Sequence, residues 1–231
     1  MDRAAVGARV LSDQARPDPP GSGDWRGWVP DPAPLPAAPD SRGSVPPTEA
    51  APSASGPTVP QPHVNAPVDA LPVRAVEETA DLWLVGAHGG SGESTLAALV
   101  DGWAASGHCW PELPNGVAAS CVVVARTNVR GLLAARTALT QWAAAGAGSS
   151  VRLVGLVLVA DAPGKLPSPL RDLATVVGGG APRVWEVPWV EGWRLGDTPT
   201  ERVPRSVSKL VSQLRSLAAS TSPGADSSPL Q

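Results

Sequence analysis

Residues 86–95, Gly-Ala-His-Gly-Gly-Ser-Gly-Glu-Ser-Thr, carry the densest chemistry in the chain. Glycines let a backbone approach an anion and turn its N–H groups inward, and a following helix start adds partial positive charge. The phosphate-binding spacing GxxxxGK[ST] falls on Ala87 to Ser94, with Gly86 one place early. Gly89 and Gly90 supply the turn, Ser91 lies between the glycines, and Gly92 allows close approach. Ser94 and Thr95 offer hydroxyls to a magnesium ion. Glu93, however, stands where the phosphate-pairing lysine belongs. At an effective dielectric of about 20, unit charges about 4 Å apart interact by roughly 4 kcal/mol. Exchanging repulsion for attraction predicts that Glu93→Lys gains triphosphate affinity by at least about tenfold.

Such a loop needs a strand before it and a helix after it. Asp81 to Gly86 reads as a buried parallel strand, and Ser94 to Ser106 as a helix, with Leu96, Leu99, Val100 and Trp103 at helical spacing. Residues 108–116 read as a loop. A second strand covers Ser120–Ala125, and a helix capped by Thr127 or Asn128 runs to about Ala145. A third strand spans Arg152–Ala160, a short helix Leu170–Val177, and a fourth strand Arg183–Pro188. Thr200–Ala219 is amphipathic, so its apolar stripe packs on the domain or on a partner. Alternating strands and helices predict a truncated doubly wound α/β domain with a parallel sheet over 79–197. Ligands of such sheets sit beyond the carboxyl ends of the strands. That rule directs attention to 86–95, 125–128, 160–165 and 188–194. Arg126, Arg130 and Lys165 lie on loops at that edge and could reach an anion.

The 231 residues include 27 prolines, 16 of them within 1–72, where only 13 residues are Met, Leu, Val or Trp. So little apolar surface does not offset the ordering entropy, which predicts a disordered arm over 1–76; residues 220–231 read as a disordered tail. Trp25 and Trp28 in the arm fit a docking motif or a chance pair. A net charge of −3 gives no footprint for nucleic acid. Two cysteines, Cys109 and Cys121, make no disulfide framework, and no apolar run reaches membrane length, so a cytoplasmic protein is expected.

The stretch HGGSGEST resembles the variant phosphate loop KGGxGK[ST] of the ParA/MinD partition and positioning ATPases, with His88 and Glu93 at the two lysine positions. The order of later segments extends the resemblance over about 81–197. SCVVVARTNVRGLLAARTAL is similar to a strand and helix of that family, VGLVLVADAP to a strand leading to its base pocket, and VWEVPWVEGWRLGD to its closing stretch. The HGG-SGES cluster behind a Pro-rich arm also resembles an actinobacterial family associated with mobile elements. The resemblance implies a P-loop NTPase-like fold and ATP or GTP with magnesium as ligand. It carries over Gly89, Gly90, Gly92, Ser94 and Thr95, with Asp161 as a base-reading candidate at a strand end. Both lysines are absent, and only Gly107–Ala119 separates the first helix from the next strand, with no magnesium-organising aspartate there. The expected protein is therefore a degenerate P-loop relative that binds nucleotide or phosphate without efficient hydrolysis, accessory to a partition, transfer or mobile-element process. The alternative is an interaction module with a vestigial loop, its protein partner met through the arm or the C-terminal helix.

Other chemistries fit less well. Gly89-Gly-Ser91-Gly-Glu93 approaches the nucleophile elbow GxSxG, but the last histidine, His108, falls at the far end of the expected helix, about 20 Å from Ser91 by its rise. The same separation leaves too few ligands together for zinc. Trp189 and Trp193 follow the last strand, where they could stack on a base or cap the sheet edge.

Overall fold

The computed structural model describes residues 55–147, 151–196 and 203–219. Trp25, Trp28 and the tail 220–231 lie outside the described residues. Five strands form one all-parallel sheet: β2 (Leu82–Gly86), β3 (Trp103–Ala105), β5 (Ala119–Arg126), β6 (Val151–Val159) and β7 (Val184–Val187), in the order β3-β2-β5-β6-β7. Counted along the chain this is 2-1-3-4-5, one of the two common doubly wound orders. The order reverses between β2 and β5, so a crevice opens beyond their carboxyl ends.

Near-continuous apolar runs make these strands because both faces of the sheet are covered. Alternate residues serve opposite sides. Trp83, Val85, Cys121, Val123, Leu156 and Leu158 pack under α2 (Val129–Ala143) and α3 (Ser168–Gly178) through Leu132, Leu139, Trp142 and Val177. Leu84, Val122, Val124, Val157 and Trp185 pack on the other face with Leu96 of α1 (Glu93–Ala97) and Val207, Leu210 and Leu214 of α5 (Arg205–Ala219). The C-terminal stripe is thus buried on the sheet, which removes that face of α5 from any partner.

One irregularity fixes how β6 meets its neighbours. The register skips between Cys121 and Val122, whose partners are Leu153 and Gly155, leaving Val154 as a bulge. At Gly155 a Cβ would come 2.5 Å from both the Arg183 carbonyl oxygen and the Trp185 ring. Gly155→Ala is therefore expected to cost about 2 kcal/mol by overpacking, read as a lower urea midpoint at unchanged slope.

Three expectations are corrected. The helix expected over Ser94–Ser106 stops at Ala97; the chain turns at Asp101-Gly102, and Trp103–Ala105 pairs with Leu82–Leu84. Gly102 sits at φ +86, a conformation that a helix interior excludes, so Asp-Gly is the decisive local signal. Burial of Leu96, Val100 and Trp103 satisfies the apolar spacing without a long helix. Residues 108–116 are also more than a loop: β4 (Trp110–Glu112) pairs in parallel with β1 (Val73–Ala75). Residues 55–76, the last part of the arm expected to be disordered over 1–76, are accordingly ordered. Residues 55–76 are tied to the domain by Ser55 N–H to Pro182 O at 3.0 Å, Gln61 N–H to Ala143 O at 2.8 Å, and the side chain of Gln141.

Gln141 is a buried hub. Its Oε1 accepts from Leu71 N–H at 2.8 Å and from Trp110 Nε1–H at 3.0 Å; its Nε2 donates to Leu71 O at 2.7 Å and Gly146 O at 3.0 Å. Every donor and acceptor site that a buried amide offers there is used. No described helix is long and apolar enough to cross a membrane.

Candidate functional site

A cleft of about 1010 Å³ opens at the carboxyl edge of the sheet, over the β2/β5 reversal. Its floor is the glycine loop, Val159 and Ala160; its walls are the first turns of α2 and the segment after β7, which includes α4 (Glu191–Leu195). Gly89, Gly90, Gly92, Thr95 and Asp161 border it, as do Arg126, Arg130 and Arg194. Ser91 and Ser94 do not. Ser91 is 0 % exposed, and its hydroxyl has no hydrogen-bond partner among the described residues. Ser94 is exposed and is not among the residues that line the cleft.

Arg126 is the best-held cation of the cleft. It ends β5, and its Nε–H donates to Gly90 O at 3.1 Å while Nη1–H donates to Ala160 O at 2.8 Å. These bonds span the glycine loop and the end of β6, and use two of five guanidinium N–H donors. His88 locks the same corner: its Nε2 accepts from Arg126 N–H at 3.0 Å, so Nδ1 carries the proton and donates to Gly89 O at 2.9 Å. Gly131 leaves the room, since a Cβ there would lie 2.9 Å from His88 Nε2. Asn128 caps α2, its side chain accepting from Gly131 N–H at 2.8 Å, and aims the positive end of a 15-residue helix at the cleft. Across the opening the Arg194 guanidinium lies 5.5 Å from the Trp189 ring centroid, and Trp189 Nε1–H donates to Glu191 at 2.6 Å.

Glu93 is where the structure departs most from the sequence reading. Its residue is 7 % exposed, and it turns back beneath the loop instead of toward the cleft. Oε2 accepts from Gly86 N–H at 2.5 Å, and Oε1 lies 3.4 Å from His108 Nδ1. His108 in turn donates from Nδ1 to Gly86 O at 3.1 Å. The repulsion expected between Glu93 and a phosphate therefore has no geometric basis, and the expected gain from Glu93→Lys goes with it. The 20 Å separation of His108 from the loop is likewise corrected. Because β3 runs parallel to β2, its carboxyl end returns to the edge where the loop begins. A Ser91 nucleophile is excluded by its burial, independently of His108.

The cysteines supply no nucleophile at this edge. Burial pushes the Cys109 thiol up, outweighing the lowering by Arg74, with Glu93 adding to the rise; burial also pushes Cys121 up, against a smaller opposing effect of Arg152. Neither is a thiolate nucleophile at neutral pH. Among the described residues, no three His, Cys, Asp or Glu side chains are grouped to hold a metal ion.

A family model, DUF6668, a family of unknown function, matches residues 80–211, more than half of the chain. The chain belongs to this family. No curated protein and no solved structure matches it. The DUF6668 segment runs from the residue before Asp81 to Val211 inside α5, and so contains the glycine loop, Arg126, the α2 cap and the α4 wall. It leaves out β1 and the 55–76 segment that Gln141 secures.

Sequence reasoning named Arg126 only as a residue able to reach an anion, and missed His88 as its holder. The available signal was position: Arg126 ends an apolar strand at the reversal of the sheet, where a ligand-facing side chain is expected.

Proposed function

We propose that the chain binds a phosphorylated small molecule, nucleotides included, in the cleft at the carboxyl edge of the sheet, and does not hydrolyse it. The observation that carries this reading is Arg126, anchored through Gly90 and Ala160 with donors to spare. Arg130 and Arg194 add to it, against Asp161 as the acidic residue of the lining. Withdrawal of Glu93 leaves this balance positive. The α2 N-terminus contributes in the same sense. A relation to the ParA/MinD ATPases remains our reading of the glycine loop, and with it an accessory part in partition, transfer or mobile-element processes. The absence of both lysines supports binding over turnover.

The test is isothermal titration with pyrophosphate, ATP and GTP, with and without magnesium. Binding is expected without a magnesium requirement and without phosphate release. Arg126→Ala is expected to weaken it by about 10- to 100-fold, the loss of one or two charge-assisted hydrogen bonds. Arg126→Lys should recover little, because an ammonium cannot bridge Gly90 and Ala160 while facing a phosphate. Equal binding by wild type and Arg126→Ala, both with unchanged melting, would remove the cleft as the site.

The alternative, an interaction module, draws on one observation. Val129 and Leu133 of α2 are exposed and border the same cleft, beside Trp189 and Trp193. No binding of any phosphate in the titration, with these four residues required for a partner, would favour it.

A further inference from the structure

The geometry points to Glu93 and His108 as a positioning pair that sets the glycine loop, and through it the presentation of Arg126 to the cleft; the affinity part of this inference rests on the phosphate-binding reading above. The pair grips one residue on both sides. Glu93 Oε2 takes the N–H of Gly86 at 2.5 Å, and His108 Nδ1–H donates to Gly86 O at 3.1 Å, with Nδ1 3.4 Å from Glu93 Oε1. Only glycine fits between them, because a Cβ on Gly86 would meet the Glu93 carboxylate and lie 2.6 Å from His108 Nδ1.

His108 is held for this task at φ +61, a left-handed conformation uncommon for a residue with a side chain. The fold delivers it there by the parallel return of β3, and Cys109 and Ser106 close the turn behind it through Sγ–H to Ser106 O at 2.7 Å.

From Gly86 the effect passes along one short run of chain. His88 and Gly90, two and four residues on, are the contacts of Arg126 within the loop. Fixing Gly86 below and Arg126 above leaves the intervening turn, with Gly90 at φ +76 and Gly92 at φ +100, a narrow range of shapes. Glu93 is therefore a positioning residue that touches no ligand, in a motif where residue 93 would be read as the phosphate contact.

The experiment is carried out on the full chain by nitrogen-15 NMR, with pyrophosphate titration alongside. Glu93→Ala is expected to shift the Gly86 amide, to speed solvent exchange of the Arg126 Nε–H, and to weaken pyrophosphate binding at least about fivefold. Glu93→Gln keeps an acceptor for Gly86 N–H and is expected to restore most of both signals. Should Glu93→Ala not fold, His108→Asn carries the comparison, since asparagine tolerates the left-handed backbone but loses the imidazole contact with Glu93. A folded Glu93→Ala or His108→Asn whose Arg126 Nε–H exchanges as in wild type overturns the inference. If wild type binds no pyrophosphate, the cleft reading fails alone, and the Arg126 exchange still decides whether the pair positions it.

Discussion

Glu93→Lys is expected to lower the melting temperature by about 6–12 °C and to bring no gain in triphosphate affinity. The reasoning starts from what converges on residue 93. Gly86 N–H donates to the carboxylate, His108 Nδ1 lies 3.4 Å from it, and the Glu93 side chain is 8 % exposed. A lysine there would set an ammonium, itself only a donor, against the Gly86 N–H, while the nearby Gly86 carbonyl already accepts from His108. Removing one partner of a buried polar contact and leaving the other unpaired costs about 3 kcal/mol. For a domain of this size each kcal/mol shifts melting by roughly 2–4 °C. Circular dichroism melts and calorimetric titration with ATP give both quantities. Tenfold tighter ATP binding with unchanged melting would mean that residue 93 faces the cleft after all.

Gln141→Leu is the second large effect, expected to destabilise the protein by about 3 kcal/mol. Leucine nearly preserves the volume, so packing is not the cause. It strands Leu71 N–H and C=O, the Trp110 indole N–H and the Gly146 carbonyl at once. Each orphaned buried group costs about 1–3 kcal/mol, reduced where water can reach it, and Leu71 is only half-buried. Urea unfolding measures the total. Native-state hydrogen exchange measures its distribution: Val76 and Trp110 are expected to lose protection while Leu84 and Val123 keep theirs. A loss below about 1 kcal/mol with unaltered exchange would show that the 55–76 segment holds by other contacts.

The sheet strands Leu82–Gly86, Ala119–Arg126 and Val151–Val159 are legible in the sequence because strands buried on both faces must be continuously apolar, and few other elements are. Helix α2 is legible for a different reason: Asn128 caps it and its apolar residues recur at helical spacing. Residues 94–106 misled because Leu96, Val100 and Trp103 match helical spacing although Asp101-Gly102 breaks it. That one error displaced His108 and so hid its pairing with Glu93. Position 93 was read by analogy of spacing, which fixes where a Cα lies but not which way a long side chain turns. The β1–β4 pair was beyond reach because three-residue strands carry too little pattern to register, and Pro111 within one of them argues against a strand.

The match to DUF6668 begins after β1 and ends at Val211, yet the folded body does neither. An excised fragment 80–211 would leave the fully enclosed Trp110 with an open strand edge beside it and would discard Leu214, which is 1 % exposed against the sheet. Such a piece is expected to aggregate on expression, whereas residues 55–219 include what the hydrogen bonds and the apolar layers join among the described residues.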